Sequence, residues 1–143
     1  MRKILFIMVL LSYQGAFAQI DEAKALIEQF FIAFHAQDTA ALKSVMSDQI
    51  IFQSISEGKK PAKLTTETAA DFIKGIAAIP KKMKFEERIL SWEIHASGTL
   101  AHVWTPYEFY INDKMSHRGV NSFTLFETAD GWKIVHCIDT RKK

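Results

Sequence analysis

Residues 119–141 read GVNSFTLFETADGWKIVHCIDTR. Apolar and polar residues alternate on both sides of Ala129-Asp130-Gly131. A period of two broken by a turn signal predicts two antiparallel strands and a tight connection. The same period runs backward from there. KFEERILSWEIHA (84–96), TLAHVWTPYEFYI (99–111) and KMSHRGVNSFTLFET (114–128) read as strands, parted by Ala96-Ser97-Gly98 and Asn112-Asp113. With WKIVHCIDT (132–140) they form an antiparallel meander of long strands. Strands of about ten residues must twist and bend. Pro106 and Gly119 mark where a bulge or bend is expected.

Upstream the period changes to that of a helix. In IDEAKALIEQFFIAFHA (20–36), Ala23, Ile27, Phe30, Phe31 and Phe34 fall three and four apart, on one face. Asp38 is the expected N-cap of a short helix, TAALKSVM (39–46). IIFQSIS (50–56) reads as a strand and EGKKPAKL (57–64) as a loop. A third helix opens at Thr66-Glu67, turns Phe72, Ile73 and Ile76 inward, and stops at Pro80. The expected fold class is therefore α+β: a curved antiparallel sheet wrapped around the N-terminal helices, with room for a conical cavity between them.

The N-terminus reads MRKILFIMVLLSYQGAFAQ. Basic Arg2-Lys3, an apolar run and small residues at Ala16 and Ala18 are the pattern of a secretory signal peptide. The expected organisation is a signal over 1–18 and a single domain over 19–143, exported to a periplasm or medium without a stable membrane anchor after cleavage. Of 18 Lys+Arg and 16 Asp+Glu, residues 1–18 hold Arg2 and Lys3 and no acid, so the domain balances at 16 of each sign. That lacks the basic excess of a nucleic-acid binder. Cys137 is the sole cysteine, so no internal disulfide can form and stability must come from a core. The glycines never cluster into a phosphate loop, so no nucleotide cofactor is expected. His95, His102, His117 and His136 are dispersed, and no metal site is expected from their spacing.

Strand alternation nominates the candidate site residues. On the last strand Trp132, Ile134, His136 and Ile138 share a face that is mostly apolar and expected inward, whereas Cys137 and Asp139 share the other. His136 is then either a hydrogen-bonded core histidine or a cavity acid/base. His117, Gly119, Asn121 and Phe123 are in phase on the preceding strand, unless Gly119 bulges and turns His117 outward. Tyr107 follows Pro106 and either packs in the core or offers its hydroxyl to the cavity. Asp139 and Arg141 read as an ion pair at the polar end of the strand, with a functional role open if the C-terminus folds back over the cavity mouth.

IEQFFIAFHAQDTAALKSVMSDQIIF (27–52) and the opening stretch together resemble the nuclear transport factor 2-like superfamily, especially its small secreted SnoaL-like and lumazine-binding-like members. The resemblance implies a cone-shaped fold and a homodimer, for which Trp104 and Tyr110 on the outer sheet face are the expected contact. It also implies two function classes. One is a binding module holding a small, mostly apolar or aromatic ligand through Tyr107, His117, Asn121 and His136. The other is a cofactor-independent isomerase, dehydratase or hydrolase with His117 or His136 as general base. The sequence favours the binding module, because no clean acid/base pair is visible. If the signal is processed, N-terminal sequencing of exported protein will begin at Gln19; a mature cytosolic chain that keeps Met1 would refute export.

Overall fold

The computed structural model describes residues 2–58 and 61–143, with side chains from residue 17 onward. The apolar run of the expected signal lies outside the residues whose side chains are described, as do Lys59 and Lys60 of the expected loop. The elements are α1 (Arg2–Ala36), α2 (Thr39–Val45), β1 (Met46–Ser56), β2 (Lys63–Thr68), α3 (Ala69–Ala78), β3 (Phe85–Ile89), β4 (Glu93–Ser97), β5 (Leu100–Ile111), β6 (Lys114–Thr128) and β7 (Gly131–Arg141).

The sheet runs β2-β1-β7-β6-β5-β3, with β4 also on β5. All pairs are antiparallel except β1 with β7. The expected strand over 84–96 is thus two strands, which break at Leu90-Ser91-Trp92 and follow β5 around its curve. The end of the expected loop pairs with β1 as β2. The third helix begins later than expected, because Thr68 caps it: the Thr68 hydroxyl accepts the Asp71 amide at 3.1 Å. Asp38 caps α2 as read, accepting the amides of Ala40 and Ala41 at 3.1 and 3.0 Å. Asn112 and Asp113 both take left-handed φ, 48° and 63°, the backbone that a two-residue hairpin matching the sheet twist requires.

The inward face of α1 builds the core. Ala23 and Ile27 are inaccessible, and Phe30 and Phe31 meet Phe123 of β6 edge-on at 5.7 and 5.9 Å. At the end of α1, Gln37 enters the left-handed region, and its amide donates to Ile76 O and Ile79 O of the α3 terminus at 3.0 and 2.9 Å. Those contacts fix the angle between the helices that close the cone.

One register shift decides which side chains of β7 face inward. Leu125 pairs with Ile134, but its neighbour Thr124 pairs with His136, so Val135 is an extra residue in β7. Before this bulge Trp132 and Ile134 are buried; after it Cys137 and Asp139 are. The expectation that His136 points inward with Trp132 and Ile134 is therefore corrected. His136 lies on the convex face, where its Nε2 meets Gln53 Oε1 at 3.0 Å. Conversely, Cys137 faces inward.

Gly119 does not bulge: it pairs with Tyr107 in an unbroken run from Leu100↔Phe126 to Phe109↔His117. His117 keeps the inward phase, and the shift comes beyond it, at Ser116. Gly119 matters for space instead. A Cβ there would lie 1.8 Å from the Thr140 carbonyl oxygen, so only glycine lets β7 bend this far over β6.

Candidate active site in the cone

Between α1, α3 and the concave sheet lies a cavity of about 410 Å³, open at one end. This is within the range of small-molecule sites, roughly 300–1,000 Å³. Phe30, Phe31, Phe34, Phe52, Phe72, Phe109 and Phe123 line it. Phe72 of α3 stacks on Phe52 of β1 at 4.1 Å and on Phe30 and Phe34 of α1 at 6.1 and 6.4 Å. The wall is apolar because both the helix stripe and the inward phase of the strands deliver aromatic rings to the same side.

Asp139 is the hub of one polar group in this wall. Its carboxylate accepts from the Ser54 hydroxyl, from the Tyr107 hydroxyl at 3.1 Å, and from Arg141 at 2.7 and 3.4 Å. Each bond is charge-assisted and satisfies the Asp139 carboxylate, which is nearly removed from water, whereas the Arg141 side chain stays half exposed. The Tyr107 hydroxyl, on a residue only 2% exposed, also faces the Thr140 carbonyl at 2.8 Å, so its one proton serves two acceptors. Burial first, then the negative charges of Asp139 and Glu87, push the Tyr107 phenol well above its usual range. It stays a hydroxyl donor at any physiological pH. Burial alone would weaken the Arg141 cation; the hydrogen bond and charge of Asp139 outweigh that and raise its pKa.

Glu87 is the centre of a second group. It occupies the inward phase of β3, and its carboxylate receives Asn121 Nδ2 at 2.6 Å. Asn121 in turn donates to Thr105 Oγ1 at 3.3 Å. Glu87 as a residue is only partly buried, because it opens onto the cavity, but its carboxyl is enclosed by protein. Burial is the main cause that raises it from its ordinary 4.5 to about 7. The nearby Asp139 charge adds to this, while the Asn121 bond and Arg141 oppose it. A carboxyl poised there can both give and take a proton near neutrality. β3 is an edge strand, and the Glu87 amide on its free side is capped by His35 of α1, whose Nε2 accepts it at 2.9 Å. That bond requires a neutral imidazole, in keeping with the lowering of the His35 pKa by burial, against which Glu86 acts.

The sequence candidates divide cleanly. Tyr107, His117 and Asn121 all line the cavity, and His136 does not. His117 lies flat on Phe109, with ring centroids 4.8 Å apart, and its Nδ1 reaches Ser116 Oγ at 3.2 Å. Burial, helped by the Arg141 charge, lowers its pKa and keeps it neutral. Cys137 lines the cavity as well, yet burial and two nearby carboxylates push its thiol up, which makes it a poor nucleophile. Glu87 was missed on sequence, although the signal was there: in Phe85-Glu86-Glu87-Arg88-Ile89 it shares the phase of the apolar residues. Asp139 and Arg141, read as the strand's polar exit, prove to be part of the wall, because the Val135 bulge turns them inward. Among the described residues, no group of three or more His, Cys, Asp or Glu side chains could hold a metal ion.

The raised Glu87 pKa has a consequence for stability. Between 4.5 and about 7 the folded chain binds more protons at this site than the unfolded chain, so stability falls as pH rises through that window. The full effect is roughly 3 kcal/mol. Glu87→Gln is expected to remove this slope, making the variant more stable than the parent at pH 8 and nearly equal to it at pH 4.5. Urea unfolding at the two pH values measures the difference; parallel curves would contradict the burial of an uncompensated carboxyl.

Residues 23–138 match the family model described as a SnoaL-like domain. No curated protein matches the chain by sequence. Several solved structures share its fold. One is a dehydratase candidate of the NTF2-like family from Streptomyces avermitilis, 13% identical, with a TM-score of 0.68, covering 88% of this chain and 97% of that one. Another is a conserved protein from Planctomyces limnophilus, 14% identical, with a TM-score of 0.71, covering 87% and 97%. A third is an NTF2-like protein from Cytophaga hutchinsonii, 14% identical, with a TM-score of 0.68, covering 85% and 97%. At such identities the likeness is one of fold. With most of its length matched by the family model, the chain belongs to the SnoaL-like family, and it shares the cone fold of NTF2-like structures.

Proposed function

We propose that this protein binds a small, mostly aromatic molecule in the cone, with the molecule's polar end toward Glu87, Asn121, Tyr107 and His117. The observation that carries this reading is the convergence of seven phenylalanines on an open cavity whose deep polar features are a few fixed groups. A second reading is favoured by one specific observation. Glu87 is a carboxyl at about 7 in an apolar wall, which suits it to proton transfer without a cofactor, as in an isomerase or dehydratase. In that reading Glu87 replaces the histidines as general base. The dehydratase candidate among the similar folds is compatible with it.

The reading includes export and assembly. The convex face carries exposed Ile51, Leu100, Trp104 and Phe126, an apolar surface suited to a second copy of the chain. Tyr110 contributes less than its type suggests: its hydroxyl donates to Glu108 at 2.8 Å, and Arg88 lies 3.9 Å over its ring.

N-phenyl-1-naphthylamine, a fluorophore that brightens in apolar surroundings, is expected to bind in the cone. Phe72→Ala should weaken it by about 1–2 kcal/mol, the scale of a lost aromatic contact with its burial, while His136→Ala leaves it unchanged. No brightening, or equal effects of the two substitutions, would overturn the cavity reading.

Sedimentation is expected to show a dimer at micromolar concentration that Trp104→Glu converts to a monomer. A parent chain that sediments as a monomer would remove the assembly from the proposal.

A further inference from the structure

The charges of the cone discriminate among the molecules it could take. Three carboxylates border the cavity: Glu67 at the mouth, Glu87 and Asp139. One guanidinium, Arg141, also borders it, and two of its nitrogens are bonded to Asp139. That pair cancels within the wall. His117, the other basic group facing the space, is kept neutral by burial and by Arg141. The cavity therefore presents acid without free cation. Glu87 in particular receives a neutral amide, Asn121 Nδ2 at 2.6 Å, and no positive partner among the described residues.

The aromatic wall points the same way. The rings of Phe30, Phe34 and Phe72 lie nearly parallel, within 16° of one another. They give the hydrocarbon of a guest an apolar surface in the same cavity as Glu87. An acidic group without a counter-ion beside that surface is complementary to an organic ammonium.

We propose, resting on the small-molecule reading of the cone, that it recognises a protonated amine attached to an aromatic body, with the ammonium on the Glu87 carboxylate and the hydrocarbon on Phe30, Phe34 and Phe72. An ammonium stabilises the ionised carboxylate, so binding below neutrality releases the Glu87 proton to solvent. Facing Glu87 are Asp139 and Arg141 from β7, His117 from β6, Tyr107 from β5, Glu67 from β2, and His35 of α1 on its own backbone amide, so the proton is assigned by its loss in Glu87→Gln. Arg141 and Tyr107 do not titrate between pH 6 and 8, and His117 and His35 are already neutral over most of that range.

The test compares 2-phenylethylamine, 2-phenylethanol and phenylacetate, nearly equal in size and differing in charge, by isothermal titration of the full chain. The amine is expected to bind at least tenfold more tightly than the alcohol, and the carboxylate not at all. Amine affinity should rise about tenfold from pH 6 to pH 8, as Glu87 ionises through about 7. Titration at pH 6.5 in buffers of different ionisation enthalpy should report proton release. Glu87→Gln should abolish both the pH dependence and the preference for the amine. Alcohol or carboxylate binding as tightly as the amine overturns the amine assignment and leaves the cavity reading intact. So does an amine bound with no pH dependence, or binding of the naphthyl fluorophore alone. If neither the fluorophore nor any of the three compounds binds, the cavity reading itself fails.

Discussion

One extra residue organises this site. Val135 has no partner position on β6, and its insertion reverses the pleat of β7 halfway along. The first half of the strand sends Trp132 and Ile134 under α1, where Trp132 Nε1 also donates to Glu22 at 3.1 Å. The second half sends Cys137, Asp139 and Arg141 into the cone. Without the reversal, His136 would face the cavity and Asp139 the solvent. Tyr107 and Ser54 would then lose the acceptor that fixes their hydroxyls. A bulge is a one-residue event, yet it determines which polar groups the cavity owns.

The polar groups in the wall are held in two different ways. Asp139 is nearly saturated: hydroxyls and a guanidinium surround it, and its own cation lies beside it. Such a group is a rigid structural anchor, since displacing any donor would leave a buried charge poorly satisfied. Glu87 is held by one amide, and among the described residues no second hydrogen bond reaches its buried carboxyl. A group with that little support is costly to ionise, and the free energy so stored is released only when something supplies the missing partner. The fold thus separates a saturated carboxylate that shapes the wall from an unsaturated one that can respond to what enters.

The aromatic lining makes this difference matter. Rings from α1, α3, β1, β5 and β6 share the wall with the polar groups, and burial is the main cause that raises the Glu87 pKa. The helices hold their angle partly through Gln37, whose amide ties the end of α1 to the end of α3. The same α1 caps the free edge of β3 through His35, directly at the residue that carries the responsive carboxylate. Packing of the helix, closure of the cone and placement of Glu87 are in this way one connected set of contacts.

The sequence by itself determined the architecture, because local patterns carry it. The change of period at Lys84, the alternation of 119–141 around Ala129-Asp130-Gly131, the apolar stripe of 23–34 and the Asp38 cap each depend on residues near one another in the chain. Tyr107, His117 and Asn121 were also legible, since no register shift separates them from their core neighbours Val103, Thr105 and Phe123. The tertiary structure decided the rest. Alternation presumes an unbroken pleat, and nothing in Trp-Lys-Ile-Val-His-Cys announces that Val135 will be skipped by its neighbour strand. That outcome exchanged His136 for Asp139 in the cavity. Glu87 required the fold as well: a glutamate in phase with Phe85 and Ile89 is common at a strand edge, and only the enclosing rings and the distant Asn121 turn it into a carboxyl near neutrality. Periodicity is a property of neighbours in the chain, whereas register, burial and pKa depend on neighbours in space.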